Sequence, residues 1–212
     1  MTDIPTVFVV DDEPAMRDSL KFLIGSVGIA VRCFASAEEF LASYDPRAAG
    51  CIVLDVRMPG LSGLELHEQL AQERFTPPVL MITGHGDVQM AVRAMKVGAM
   101  DFIEKPFSDQ VLLEHIHHAI EVDTKRRAEL EELVVLEARR STLTSREREV
   151  FSLVVVGKPN KVVAHELGLS QKTIEVHRAH AMEKMKANSF AELVKMAVAL
   201  GERAPDVHPT KE

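Results

Sequence analysis

Five short apolar runs, separated by stretches with helical patterning, most constrain the fold of the first 120 residues. The runs lie at 6–10, 30–34, 51–54, 79–83 and 101–104. Strands that alternate with helices indicate a parallel sheet, because parallel neighbours must be joined by a crossover. The runs around Val53 and Leu80 are continuously apolar, as expected of central strands covered on both faces. We therefore predict an α/β domain with a doubly wound, five-stranded parallel sheet.

Capping signals predict where three of the intervening helices begin. Ser36 with Glu39, and Ser62 with Glu65, have the spacing of a capping box. Asp87 is placed to cap the helix that follows it.

Polar side chains occur where the predicted strands end, at Asp11, Asp12, Asp55, Thr83 and Lys105. In a doubly wound sheet, ligands bind beyond the carboxyl ends of the strands. Three carboxylates at one edge would raise each other's pKa unless a cation lay among them. Because the donors are hard oxygens, the pattern favours Mg²⁺ over zinc.

Nucleotide or flavin binding is the rival function for such a sheet, and it needs a glycine-rich turn after the first strand. The turn here is Asp11-Asp12-Glu13-Pro14. Its acids repel phosphate and its proline lacks an N–H donor, so the sequence argues against a dinucleotide site.

The strand-end residues lie in four motifs: Asp11-Asp12, Leu54-Asp55-Val56-Arg57-Met58-Pro59-Gly60, Thr83-Gly84-His85-Gly86 and Phe102-Ile103-Glu104-Lys105-Pro106-Phe107. Over about residues 5–120 the chain resembles the receiver domain of bacterial two-component response regulators. The resemblance implies a flavodoxin-like fold in which Asp55 accepts a phosphoryl group from a sensor histidine kinase.

The same resemblance assigns the other roles at this edge. It implies that Mg²⁺ is held by Asp12, Asp55 and the backbone carbonyl of Arg57, and by Asp11 through water. Lys105 and Thr83 would contact the phosphoryl oxygens, and Thr83 and Phe102 would shift together as a switch. The shift would remodel the following helix into a face for a homodimer, with the candidates Val88, Ala91, Val92 and Met95.

The rest of the chain is predicted to be helical. Residues 121–141 lack glycine and proline and continue the last receiver helix as a linker, 142–200 form a small all-α domain, and 201–212 form a flexible tail. Caps are predicted at Thr144, which has the capping-box spacing to Glu147, and at Ser170 and Ser189. Gly168 separates a short helix, 161–167, from one spanning about 171–186. These two have the spacing of a helix-turn-helix.

Charge and motif both associate the second half with DNA. Residues 1–120 hold 9 Lys and Arg against 17 Asp and Glu, whereas 142–212 hold 11 against 9. The runs 143–150 and 173–178 resemble the LuxR-type output domain of the NarL/FixJ class. Together with the receiver and the overall length, they make the chain most similar to the FixJ and styrene-responsive regulators of that class. The resemblance implies that Glu175, Val176 and Ala179 face base edges. It places Lys172, Thr173, His177 and Arg178 near backbone phosphates.

The sequence thus predicts a phosphorylation-activated transcriptional activator that binds double-stranded promoter DNA and RNA polymerase. A receiver-controlled RNA-binding regulator remains an alternative. An enzyme is not expected beyond the assistance that the receiver gives to its own phosphorylation and dephosphorylation. A phosphatase would need an acid two residues after Asp55, where Arg57 stands. With no apolar run long enough for a membrane span, no signal peptide and only two cysteines, we expect a cytoplasmic protein without a membrane partner.

Overall fold

The computed structural model describes residues 4–73, 76–84 and 88–202. The chain divides into two compact units, Met1–Arg127 and Ala128–Glu212. The predicted cap at Asp87 and residues 203–212 of the predicted tail lie outside the described residues. The first unit extends seven residues beyond the predicted receiver boundary at residue 120.

A five-stranded parallel sheet forms the centre of the first unit, in the order β2-β1-β3-β4-β5. Its strands are β1 (Thr6–Val10), β2 (Ala30–Phe34), β3 (Gly50–Asp55), β4 (Val79–Thr83) and β5 (Asp101–Glu104). Val10 is level with Leu54 in the β1–β3 ladder, so the next residues, Asp11 just beyond β1 and Asp55 at the end of β3, lie side by side. The register thereby brings the first two acids to the same edge.

Helices cover both faces of this sheet, which confirms the doubly wound prediction. They are α1 (Pro14–Ser26), α2 (Ala37–Ser43), α3 (Gly63–Leu70), α4 (Val88–Val97) and α5 (Asp109–Ser141). Phe8 and Val10 of β1 belong to one apolar core, and Val7 and Val9 belong to a second core on the opposite face. This alternation follows from the two-residue period of a strand.

The predicted caps of the receiver helices differ in completeness. Ser62 and Glu65 form a full capping box at α3. Ser36 accepts a hydrogen bond from the Glu39 N–H, but the Glu39 carboxylate accepts from Ala35 N at 2.6 Å rather than closing the box. Either arrangement satisfies free N–H groups at the start of a helix.

The second unit contains the end of α5 and four shorter helices, α6 (Ser145–Val155), α7 (Asn160–Leu167), α8 (Gln171–Met185) and α9 (Phe190–Ala199). The predicted caps are present, with a full capping box at Thr144 and side-chain caps at Ser170 and Ser189. Gly168 turns the chain between α7 and α8 in the left-handed conformation, φ +65°. The two helices therefore form the predicted helix-turn-helix.

Among the described residues, no helix is both long enough and apolar enough to cross a membrane.

Candidate functional site

Two buried carboxylates share one lysine at the carboxyl edge of the sheet. Asp11 and Asp55 are 1% and 6% exposed. The Lys105 Nζ atom donates to Asp11 Oδ2 at 3.0 Å and to Asp55 Oδ1 at 2.7 Å. The sequence predicts that these residues meet, because they follow predicted parallel strands whose carboxyl ends lie at one edge of the sheet.

Backbone donors fix both carboxylates in place. Arg57 N donates to Asp55 Oδ2 at 2.8 Å, and Glu13 N donates to Asp11 Oδ1 at 2.8 Å. The Arg17 guanidinium donates to the carbonyl oxygen of Asp11 at 2.7 Å. The orientation of the acidic pair is therefore set by the turns that follow β1 and β3.

The pair carries more negative charge than Lys105 neutralises. Burial raises the pKa of Asp55, and the charge of Asp11 adds to the rise, while Lys105 and the Arg57 N–H oppose it. Burial alone would lower the pKa of Lys105, but its hydrogen bonds to Asp55 and Asp11 and their charges leave that pKa raised. Lys105 consequently stays protonated, but its single positive charge does not balance the negative charges of the two carboxylates.

The predicted convergence of three acids is realised for two of them. Asp12 is exposed, and within the described ranges no three His, Cys, Asp or Glu residues are close enough together to bind a metal ion. The donors that do meet, two buried carboxylates with an excess of negative charge, fit a hard divalent cation such as Mg²⁺. Thr83 is also buried at this edge, and its carbonyl accepts from Lys105 N at 2.7 Å.

The predicted nucleic-acid residues on α8 divide into two groups. Four of the seven are exposed to solvent: Lys172, Glu175, Val176 and Ala179. The other three are half-buried, and two of them have partners within the domain. Thr173 shares a 2.8 Å hydrogen bond with the Ser170 hydroxyl, and the Arg178 guanidinium lies 4.2 Å from the centre of the Phe190 ring. The half-buried His177 has no hydrogen-bond partner for its buried Nδ1 within the described part of the chain.

Two protein families match the two units. The response regulator receiver domain matches residues 7–117, and the luxR family of bacterial regulatory proteins matches residues 141–197. The chain belongs to the LuxR-type response regulators.

Relatives and solved structures agree with this assignment. Transcriptional regulatory protein FixJ of Rhizobium meliloti (strain 1021) is 49% identical, over 95% of this chain and 98% of its own. Response regulator protein TmoT of Ectopseudomonas mendocina is 40% identical, over 92% and 88%. The structure of response regulator StyR matches with a TM-score of 0.80 at 44% identity, over 92% of this chain and 98% of that one.

This response regulator is therefore a phosphorylation-dependent transcriptional regulator of the FixJ and TmoT kind. Its two domains imply a cognate kinase and a DNA partner, and the matches give no support to the RNA-binding alternative. The geometry places the acidic pair in the receiver and the exposed α8 surface in the LuxR-type domain.

The predicted dimer face is mostly exposed. Val88 is 79% exposed on α4, and Val92 and Met95 are also exposed, whereas Ala91 is half-buried. Phe102 is half-buried in β5 and packs against the apolar core on the α4 side of the sheet.

Sequence reasoning did not predict an ion pair between α6 and α8 of this regulator. Glu147 is 4% exposed and accepts from Lys184 Nζ at 2.6 Å and from Thr144 N at 2.8 Å, and His180 lies 3.5 Å away. The hydrogen bond and charge of Lys184, together with the cap, hold the pKa of Glu147 at about 2, although burial opposes them. The capping-box spacing identified Glu147 as a cap, but no local pattern indicated its pairing with a residue 37 positions away.

Proposed function

We propose that this protein is a transcriptional activator in which Asp55 accepts a phosphoryl group from a sensor histidine kinase. Phosphorylation of Asp55 would promote dimerisation of the protein and its binding to promoter DNA. The observation that carries this proposal is the buried carboxylate of Asp55 at the carboxyl edge of the sheet, 2.7 Å from the Lys105 ammonium and beside Asp11. Such an arrangement supports nucleophilic attack on a phosphoryl group, because phosphoryl transfer is catalysed chiefly by positioning and charge neutralisation.

In this reaction an Asp55 oxygen forms the new P–O bond while the P–N bond to the kinase histidine breaks. Lys105 would neutralise the negative charge of the Asp55 carboxylate before the reaction, and the negative charge of the phosphoryl oxygens during and after it. Mg²⁺ held by Asp11, Asp12, Asp55 and the Arg57 carbonyl would supply the remaining neutralisation. The phosphoryl group ends on the protein's own side chain, so the chain is not a conventional enzyme.

The phosphoryl group carries about −1.5 to −2 charge, and because its attachment consumes the single negative charge of the Asp55 carboxylate, the net gain at the site is about −0.5 to −1. We propose that the Thr83 hydroxyl donates to the new phosphoryl oxygens, and that the half-buried Phe102 moves into the space that Thr83 leaves. This movement would reshape the surface of α4 for a homodimer through Val88, Ala91, Val92 and Met95. The exposed valines there are consistent with an apolar interface.

The dimer would bind promoter DNA through α8 and act with RNA polymerase, in the cytoplasm. Glu175, Val176 and Ala179 would face base edges, and Lys172 would reach a phosphate. Thr173, His177 and Arg178 are proposed to lie near phosphates too. Arg178 would reach a phosphate while its guanidinium keeps the ring of Phe190 as a support.

The test compares the parent protein with Asp55→Asn in the presence of Mg²⁺ and acetyl phosphate. We expect the parent to gain one phosphoryl group by intact mass and to bind promoter DNA more tightly, and Asp55→Asn to do neither. Asp18→Asn is the control, because Asp18 is an exposed aspartate on α1, and it should behave as the parent does. An Asp55→Asn protein that responds as fully as the parent would refute the proposal.

A further inference from the structure

An acidic side chain lies in the middle of the α8 surface that would approach DNA. Glu175 is 55% exposed, and its carboxylate lies 3.8 Å from the ammonium of Lys172, which is 86% exposed. Val176 and Ala179 are exposed beside it. Because positions 172, 175, 176 and 179 recur at helical spacing, they share one face of α8.

A carboxylate in this position is unfavourable unless the DNA offers it a hydrogen-bond donor. Phosphate groups repel it, and an ionised carboxylate only accepts hydrogen bonds. The donors in the major groove are the N4 amino group of cytosine and the N6 amino group of adenine. Adenine carries the N7 acceptor beside its amino group, which repels the carboxylate, whereas cytosine carries a C–H there. Cytosine is therefore the base that best accommodates Glu175.

The neighbouring side chains do not offer the same selection. Val176 and Ala179 have side chains that can make only apolar contacts with a base, and the Arg178 guanidinium stacks on Phe190. Lys172 is free to leave its long, exposed contact with Glu175 for a phosphate, because a surface pair of this kind contributes little.

We propose that Glu175 is a specificity-determining residue that selects cytosine in each half-site. This inference rests on the proposed binding of promoter DNA by α8. It adds which base the acid recognises, and it predicts a change of preference that a general loss of charge would not cause.

The experiment selects binding sites from random DNA duplexes with the full chain, in Mg²⁺ and beryllofluoride at fixed salt. For the parent we expect one half-site position dominated by cytosine, and about tenfold weaker binding when that C·G pair is replaced by T·A. Glu175→Gln should shift the preference at that position toward adenine, because a glutamine amide both donates to N7 and accepts from N6. Glu175→Ala should remove the preference at that position alone.

Glu183→Gln is the matched control, since Glu183 is an exposed glutamate two turns further along α8. It removes the same charge and should keep the cytosine preference. The inference is overturned if Glu175→Gln selects the same bases as the parent, or if Glu183→Gln produces the same shift. If the parent binds no duplex at all, the proposed DNA-binding function fails as well, so the two failures are distinguishable.

Discussion

Gly63 is a residue at which a single added methyl group should disturb the proposed phosphorylation site at Asp55. A Cβ atom there would lie 1.9 Å from the backbone oxygen of Asp55 and 3.0 Å from Leu54 Cγ. Ordinary contact begins near 3.4 Å, so α3 would have to move about 1.5 Å from the end of β3. That movement would also disturb the hydrogen bond from Gly63 N to Val56 O, at 3.1 Å.

Gly63→Ala should therefore affect both stability and chemistry. Overpacking of this kind costs about 1–3 kcal/mol. A misplacement of about 1 Å at a reacting group lowers a rate by roughly a hundredfold. We expect phosphorylation by acetyl phosphate to slow by at least tenfold in molecules that remain folded.

Fluorescence gives a direct measure of receiver unfolding, because Tyr44 is the only tyrosine and the chain has no tryptophan. Tyr44 stacks on Phe40 at 4.6 Å within the receiver core. Urea unfolding followed by this signal should give a lower midpoint for Gly63→Ala. Gly25→Ala is the control, because its added Cβ would meet no atom within 4 Å outside its chain neighbours and the backbone of its own helix, and alanine should stabilise α1 by about 0.5–1 kcal/mol. A Gly63→Ala protein with the parent's midpoint and the parent's phosphorylation rate would refute the steric argument.

Two further predictions concern buried acids. Glu147→Gln keeps the capping box but loses the ion pair with Lys184. It should destabilise the helical unit by about 1 kcal/mol at neutral pH. This value is small because Lys184 is about one-third exposed, so that solvent screens the pair. The folded pKa of Glu147, about 2, is below its ordinary 4.5. The stability lost in Glu147→Gln should therefore be largest above pH 4.5 and shrink as the pH falls toward 2, as measured by far-ultraviolet circular dichroism melting. A loss of stability that is constant with pH would contradict this. Asp123→Ala removes the acceptor of Gly50 N and Arg127 Nε. It should destabilise the receiver by about 2 kcal/mol in the Tyr44 assay. An unchanged urea midpoint would show that the buried carboxylate contributes nothing to the stability of the receiver.

The strands could be predicted closely because hydrophobic runs bounded by polar residues are a local signal. Four of the five observed strands have the predicted bounds, and β3 is one residue longer at each end. Gly50 and Asp55 extend it because they pair with Thr6 and Ile82 in the ladders. Glycine and aspartate disfavour strands locally, so only the neighbouring strands reveal that these two residues belong to one.

The meeting of Asp11, Asp55 and Lys105 also followed from the sequence, once the sheet was known to be parallel. Their chemical roles stay predictions. The engagement of Arg178 by Phe190 could not be foreseen, because the two residues lie on different helices and helical spacing reveals only which residues share a face. The same limit hid the contact between Gly50 and Asp123, which are 73 positions apart.

The three-dimensional pairing of the buried acids distinguishes Asp123 from the pair that we propose to be reactive, which residue type alone does not. Asp123 is 1% exposed and has two arginines, with Arg127 Nε at 2.6 Å and Arg126 at 3.5 Å, besides the Gly50 N–H. Positive charge around Asp123 thus exceeds its own. At the carboxyl edge the ratio is reversed, because Asp11 and Asp55 share a single lysine and the pKa of Asp55 is raised by burial and by its neighbour. Burial of an acid is offset most simply by neutralising its charge, so an under-compensated pair is the arrangement expected at a site where we propose that a cation and a phosphoryl group are accepted.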